Sequence, residues 1–168
     1  RDEWFSEIDG DKRELVVQVW YPSNEISDEM DPWLDNMAAR EEAIIDNFKV
    51  PKFIVKSIDR VNTDTFVESS PFTSQKFPVI IFSHGFEGFR SQNTTQIQEL
   101  VSNGYIVFAL DHTYDATLTI MPDGRAIPRA KRYCYDCPTD KFYDVFIPQI
   151  NTRIDDIRFL INQIEKIK

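Results

Sequence analysis

The period of the apolar positions changes several times along the chain, and each change marks an element. Leu15-Val16-Val17-Gln18-Val19-Trp20-Tyr21 is β-branched and aromatic, predicting a strand within 13–21 that closes at Pro22-Ser23-Asn24. From Asp28 to Phe48 the spacing turns helical. Asp31-Pro32 offers a cap with proline in the first turn, and Trp33, Met37, Ala38, Ile44, Ile45 and Phe48 recur at helical intervals. Pro51 ends that helix, a short amphipathic piece spans 53–58, and a polar loop fills 59–75.

The pattern then tightens. Pro78-Val79-Ile80-Ile81-Phe82 is a continuous apolar run of strand length, expected to be buried on both faces of a parallel sheet. It empties into the glycine-punctuated turn Ser83-His84-Gly85-Phe86-Glu87-Gly88-Phe89-Arg90. Ser91 is placed to cap a helix bearing Ile97, Leu100 and Val101, Asn103-Gly104 supplies its left-handed stop, and Tyr105 to Leu110 is a second apolar strand. Strand, turn, helix and strand in this compass make a βαβ unit, which requires parallel pairing.

After Asp111-His112 the chain loosens into a predicted surface excursion over 112–150, with Pro122-Asp123-Gly124 as a turn. A helix resumes from Asn151, with Ile154, Ile157, Leu160, Ile161, Ile164 and Ile167 as its apolar face.

Composition narrows the function classes. The 168 residues are 42% hydrophobic and carry a net charge of -9, so disorder and collagen-like repeats are excluded and an ordinary core is within reach. The charge balance repels phosphate backbones, and nucleic acid is not an expected partner. No apolar run of about 18 residues is present, so a soluble domain is expected. Cys134 and Cys137 lack the strand-to-helix setting of a redox pair and the further ligands of a zinc site. They are read as an incidental or structural pair, and a small disulfide loop would go with export, the compartment preferred to the cytosol.

The strand-Ser83-His84-Gly85-Phe86-x-Gly88-helix arrangement carries the chemistry. Acyl transfer from an ester passes through a tetrahedral oxyanion, which backbone N–H groups aimed from such a turn stabilise by about 3 kcal/mol per donor. In α/β-hydrolases a His-Gly turn after the third strand supplies one of these donors.

From these residues a resemblance emerges. Leu15 to Pro22, Phe77 to Arg90, Glu99 to Asp111 and His112-Thr113-Tyr114-Asp115-Ala116 resemble, in order and spacing, the amino-terminal half of the platelet-activating-factor acetylhydrolase family. That family consists of α/β-hydrolase serine esterases that use no cofactor and cleave short or oxidised acyl chains from phospholipids. Similar blocks occur in bacterial cutinase-like polyesterases. The resemblance covers nearly the whole chain, with 28–75 matching loosely as an insertion of helix and loop. It implies an α/β fold with a mostly parallel sheet and helices on both faces, of which residues 1–168 are the amino-terminal portion. It further implies that Phe86 gives an oxyanion N–H, that His84 and Gly85 shape the turn, and that Phe86, Phe89 and His112 face substrate. No metal or cofactor is called for.

The family's nucleophile sits in Gly-x-Ser-x-Gly, and no two of Gly10, Gly85, Gly88, Gly104 and Gly124 flank a serine at that spacing. The expectation is therefore a second polypeptide or continuation carrying the Ser-Asp-His triad, with an ester or phospholipid as substrate. A cutinase-like or other short-chain esterase is the alternative within the class. An inactive hydrolase-like binding module is the alternative outside it.

Several residues keep two readings. Adjacent on a strand end, Ser83 and His84 point to opposite sides and do not form a nucleophile–base pair. His112 is either near the cleft or a structural partner of Asp111 or Asp115, and those two aspartates read as turn and cap acceptors. Trp33, Met37 and Phe48 either pack or present an apolar face to lipid. Arg129 to Arg132 is a solvated loop or a lure for an anionic headgroup.

Overall fold

The computed structural model describes residues 3, 5–25, 27–58, 60–130 and 138–167. The strand-forming runs become β1 (Val16–Trp20), β2 (Val79–Ser83) and β3 (Ile106–Asp111), joined in one sheet of order β1-β3-β2. β2 and β3 pair in parallel with Val79 opposite Ile106 and Ser83 opposite Leu110, the pairing expected of the βαβ unit. β1 runs antiparallel to β3, Val16 facing Asp111 and Trp20 facing Val107. This register brings Ser83, Asp111 and the start of β1 to one end of the sheet.

The intervening helix α3 (Thr94–Ser102) lays Ile97 on Trp20, Val107 and Ala109, with Ile80, Phe82, Leu100 and Val101 around them. Alternation puts Trp20, Val107, Ala109, Ile80 and Phe82 on this one face, and Ser83 and Leu110 on the other. β3 is buried along most of its length, but β2 is not: Val79 is 47% exposed. The expectation of burial on both faces fails there because β3 is the only strand paired with β2 among the described residues. Gly104 closes the helix at φ +84°, as Asn103-Gly104 predicted. Ser91 is not the cap. Asn93 holds that position without a side-chain capping bond, and the Ser91 carbonyl accepts instead from Thr94 N–H and Oγ1.

The insertion contains α1 (Met37–Phe48) and α2 (Lys52–Ile58) around a small core of Leu34, Ile44 and Val55. Trp33 and Met37 pack against that core, whereas Phe48 is exposed. The helix does not start at Asp31-Pro32. Asp31 N–H donates to Thr65 O and Met30 bridges Phe66, which holds this segment extended, so Asn36 caps in its place at φ 48°, accepting from Ala39 N–H.

The stretch after β3 differs most from expectation. Thr113, Asp115, Ala116, Thr117 and Thr119 are buried, not spread over the surface, and a hairpin of β4 (Leu118–Ile120) and β5 (Ala126–Pro128) follows. Backbone carbonyls take the protons of two of these threonines: Thr113 Oγ1 donates to Glu14 O and Thr117 Oγ1 to Glu87 O. Cys134 and Cys137, with Lys131 and Arg132 of the basic stretch, lie outside the described residues.

α4 (Thr139–Ile164) begins well before Asn151 and runs through Pro148, whose missing N–H makes the sequence read as a break. Its faces also differ from the apolar stripe. Ile154 and Ile161 are about two-fifths exposed, at 40% and 41%, while Asp156 is 1% exposed beside buried Leu160. Among the described residues no helix is long and apolar enough to cross a membrane.

Candidate active site

Where β2 ends, the chain turns sharply and returns through Gly88, whose N–H donates to the Gly85 carbonyl at 3.0 Å. Gly88 fits closely: a Cβ there would displace the end of the Gln92 side chain and lie 3.1 Å from the Gly85 oxygen. Glu87 adopts φ 56°, and Thr117 N–H reaches across to the Gly88 carbonyl at 3.1 Å, so the hairpin segment braces the turn. Asp111 holds the far end, accepting Arg90 N–H at 2.6 Å and pairing with the Arg90 guanidinium, as a turn acceptor should. Arg90 and Arg40 both grip Asp35, tying the insertion to the turn. Burial opposes the Asp35 charge, yet the two guanidiniums together hold its carboxyl below the usual range.

His84 is fully buried under the turn. Its Nε2 accepts the His112 backbone N–H at 3.1 Å, which leaves the proton on Nδ1 to donate to the Gly85 carbonyl at 2.6 Å. Burial, with the neighbouring His112 and Arg153 charges, pushes this imidazole down to about 4, so it is neutral at pH 7. The consequence is geometric. Gly85 O and Phe86 N–H belong to one planar trans peptide and point in opposite directions. With the carbonyl taken by His84 Nδ1–H and Gly88 N–H, the Phe86 N–H points to the opposite side of that peptide. The Phe86 side chain is 37% exposed beside it.

Phe89 packs edge-on against Trp33, ring centroids 6.1 Å apart, within the insertion's cluster. The His112 ring is completely enclosed and meets the turn through Ser83 and His84. Its partner is neither Asp111 nor Asp115. His112 Nδ1 donates to Asp156 Oδ2 at 2.8 Å, and Nε2 accepts the Ser83 hydroxyl at 2.9 Å. Arg13 binds Asp156 with Nε at 3.0 Å and Nη2 at 2.6 Å, and directs Nη1 to Glu3 and the Thr113 carbonyl, both at 2.7 Å. Burial works against the Asp156 charge, and the His112 and Arg13 bonds outweigh it to hold the carboxyl low. Burial, with the Arg153 and Arg13 charges, lowers His112. From α4, Arg153 pairs with Asp115 at 3.1 Å and donates to Ser83 Oγ at 3.1 Å and to the His84 carbonyl. Arg129 pairs with Glu87 of the turn.

Ser83, His112 and Asp156 are thus linked in the order of a serine-hydrolase triad, a connection that the sequence pattern does not indicate. Its middle ring is sealed from solvent, and its serine oxygen is bound on two sides. A cavity of about 540 Å³ opens at the opposite end of the sheet between Trp20, Phe66 and Val101 and shares no residue with the turn. The turn exposes Gly85 and Phe86 above a buried hydrogen-bonded network.

Comparison with known proteins adds three findings. The family model described as platelet-activating factor acetylhydrolase, isoform II, matches residues 5–168. A stretch of 40 residues is 50% identical to the platelet-activating factor acetylhydrolase of Cavia porcellus, covering 24% of this chain and 9% of that protein. A solved structure, a ferulic acid esterase from Streptomyces cinnamoneus, superposes with a TM-score of 0.67 at 29% identity, covering 89% of this chain and 38% of its own. The chain spans well under half the length of these relatives, and its fold is that of the α/β-hydrolases.

Proposed function

The chain belongs to the platelet-activating factor acetylhydrolase isoform II family, and from that premise we propose that it is the amino-terminal part of a serine carboxylic-ester hydrolase. In this reading the Phe86 N–H supplies one oxyanion donor, and Ser83, His84, His112 and Asp156 are its foundation. The nucleophile, acid and catalytic histidine come from outside residues 1–168, because no Gly-x-Ser-x-Gly is present within them. Substrate is an ester with a short acyl chain, on a phospholipid or a related alcohol. The single supporting observation is the pinned Gly85 carbonyl, which sets the direction of the Phe86 N–H before any substrate arrives. The half-exposed edge at Val79 supports the idea that a further strand, bearing the nucleophile, pairs with β2.

A second reading is favoured by one observation, the Ser83–His112–Asp156 relay, in which Ser83 would itself attack the ester. Fluorophosphonate labelling of the full-length protein, followed by peptide mapping, separates the two. We expect the label on a serine outside residues 1–168. Label on Ser83 would establish the second reading, and a folded protein taking no label would leave the hydrolase-like binding module. Turnover of acetyl-glycerophospholipid against p-nitrophenyl, feruloyl and polyester substrates then fixes the substrate class.

A further inference from the structure

Arg153 makes three contacts from α4, two of them with the turn and one with Asp115 beyond β3. Its Nη1 donates to Asp115 Oδ2 at 3.1 Å, and its Nη2 donates to Ser83 Oγ at 3.1 Å and to the His84 carbonyl. The guanidinium is 14% exposed and the Asp115 carboxylate 2%. A guanidinium is a rigid planar fork, so partners fixed on both of its arms are fixed relative to each other. The helix that carries Arg153 is anchored three residues later by Asp156, which Arg13 and His112 hold.

The peptide planes of the turn are held in succession. Arg153 takes the His84 carbonyl, and His84 Nδ1–H with Gly88 N–H takes the next one, that of Gly85. Between these planes stands Gly85, the residue type with the widest choice of φ and ψ. Sterics therefore do not set the direction of the Phe86 N–H; hydrogen bonds on either side of Gly85 do. Without the first of them, the second plane keeps its bonds at Gly85 O but loses the fixed plane on the other side of the glycine hinge, and a displacement of about 1 Å at a catalytic donor costs on the order of a hundredfold in rate.

We propose that Arg153 is a positioning residue for ester hydrolysis, holding Ser83 and the His84 carbonyl so that the Phe86 oxyanion donor is aimed in advance. This rests on the function proposed above. Arg153 touches no reacting atom in this account. Its charge also disfavours protonation of His84, whose neutral ring is needed to accept at Nε2 while donating at Nδ1. Asp115 anchors the fork, which gives a purpose to a carboxylate buried at the end of the βαβ unit.

The test uses the full-length protein with p-nitrophenyl butyrate as substrate, comparing wild type with Arg153→Met, Arg153→Lys and Arg153→Ala. We expect Arg153→Met to lose about 10- to 100-fold in kcat with KM within threefold, because the lost alignment is felt in the transition state. Arg153→Lys, with the charge but one nitrogen, should retain an intermediate rate, and guanidinium ion should restore part of the kcat of Arg153→Ala. A kcat within threefold of wild type in Arg153→Met, or a raised KM with kcat intact, overturns the assignment. So does a loss in all three variants that guanidinium does not relieve. Should Arg153→Met and Arg153→Ala fail to fold, Arg153→Lys alone decides: a kcat equal to wild type overturns the proposal, and a lowered kcat with unchanged KM supports it. Wild type without esterase activity or probe uptake is a different result, which removes the proposed function itself and this inference with it.

Discussion

Asp156→Asn probes the locked underside of the turn directly. The carboxylate accepts from His112 Nδ1 at 2.8 Å and from Arg13 Nε and Nη2 at 3.0 and 2.6 Å, with side-chain exposures of 1% for Asp156 and 5% for Arg13. Asparagine keeps one acceptor and puts an NH₂ in place of the other, so a donor would face Arg13 Nε–H in one flip, or Arg13 Nη2–H together with His112 Nδ1–H in the other. The first clash strands a buried guanidinium. The second forces the imidazole proton to Nε2, against the Ser83 hydroxyl. Removing one member of a buried ion pair costs about 3–5 kcal/mol. Glu3 still faces Arg13 at 2.7 Å, which puts the expected loss near the bottom of that range, about 3 kcal/mol. Equilibrium urea unfolding of the full-length protein measures it. Arg13→Met in the same background closes a double-mutant cycle, with an expected coupling of about 2 kcal/mol. A loss below 1 kcal/mol for Asp156→Asn, or strictly additive variants, would refute the claim that this network is a single buried unit.

Three further outcomes follow from the same geometry. Phe86→Pro removes the amide proton at the oxyanion position and should lower kcat about a hundredfold or more, and an unchanged rate in a folded variant rules that donor out. His84 should titrate by NMR with a midpoint near 4, well below the 6.5 of a free imidazole, and a midpoint above 6 contradicts its burial as a neutral donor. Since its folded value is depressed, the linked stability is complete above pH 6.5 and is lost as the pH falls toward 4, by up to about 3 kcal/mol, with Asp115, raised chiefly by burial, working in the opposite sense. Gly104→Ala, at φ +84° and with Phe77 as its nearest neighbour, should cost about 1 kcal/mol in urea unfolding; a neutral result would mean that the stop tolerates a Cβ.

The parts of this structure that announce themselves in sequence are those governed by short-range period. β1, β2, α3, β3 and the Gly104 stop follow from apolar runs and one glycine, and the Ser83-to-Gly88 turn stands out because glycine and histidine follow a buried-type strand. What escapes is whatever depends on distant partners. Asp31-Pro32 has the local chemistry of a helix start, but pairing with Thr65 and Phe66 pulls it straight. Threonines 113, 117 and 119 read as surface loop, and nothing local reveals the carbonyls that accept two of their hydroxyls. Pro148 masks the first turns of α4. Asp156 reads as a solvent-facing charge off the apolar stripe, and its pairing with a histidine 44 residues earlier has no signature in spacing. The Ser83-to-Gly88 turn is visible in the sequence, then, while the network that holds it is not.

The proposed function rests on a pre-aimed oxyanion donor at Phe86. Phenylalanine-selective ¹⁵N labelling of the full-length protein, with amide spectra recorded before and after fluorophosphonate modification, tests it most directly. A tetrahedral phosphonyl oxygen occupies the place of the oxyanion, so the Phe86 N–H resonance should move strongly downfield while the other phenylalanine amides stay near their free positions. A Phe86 resonance that does not move in fully labelled, folded protein contradicts the account.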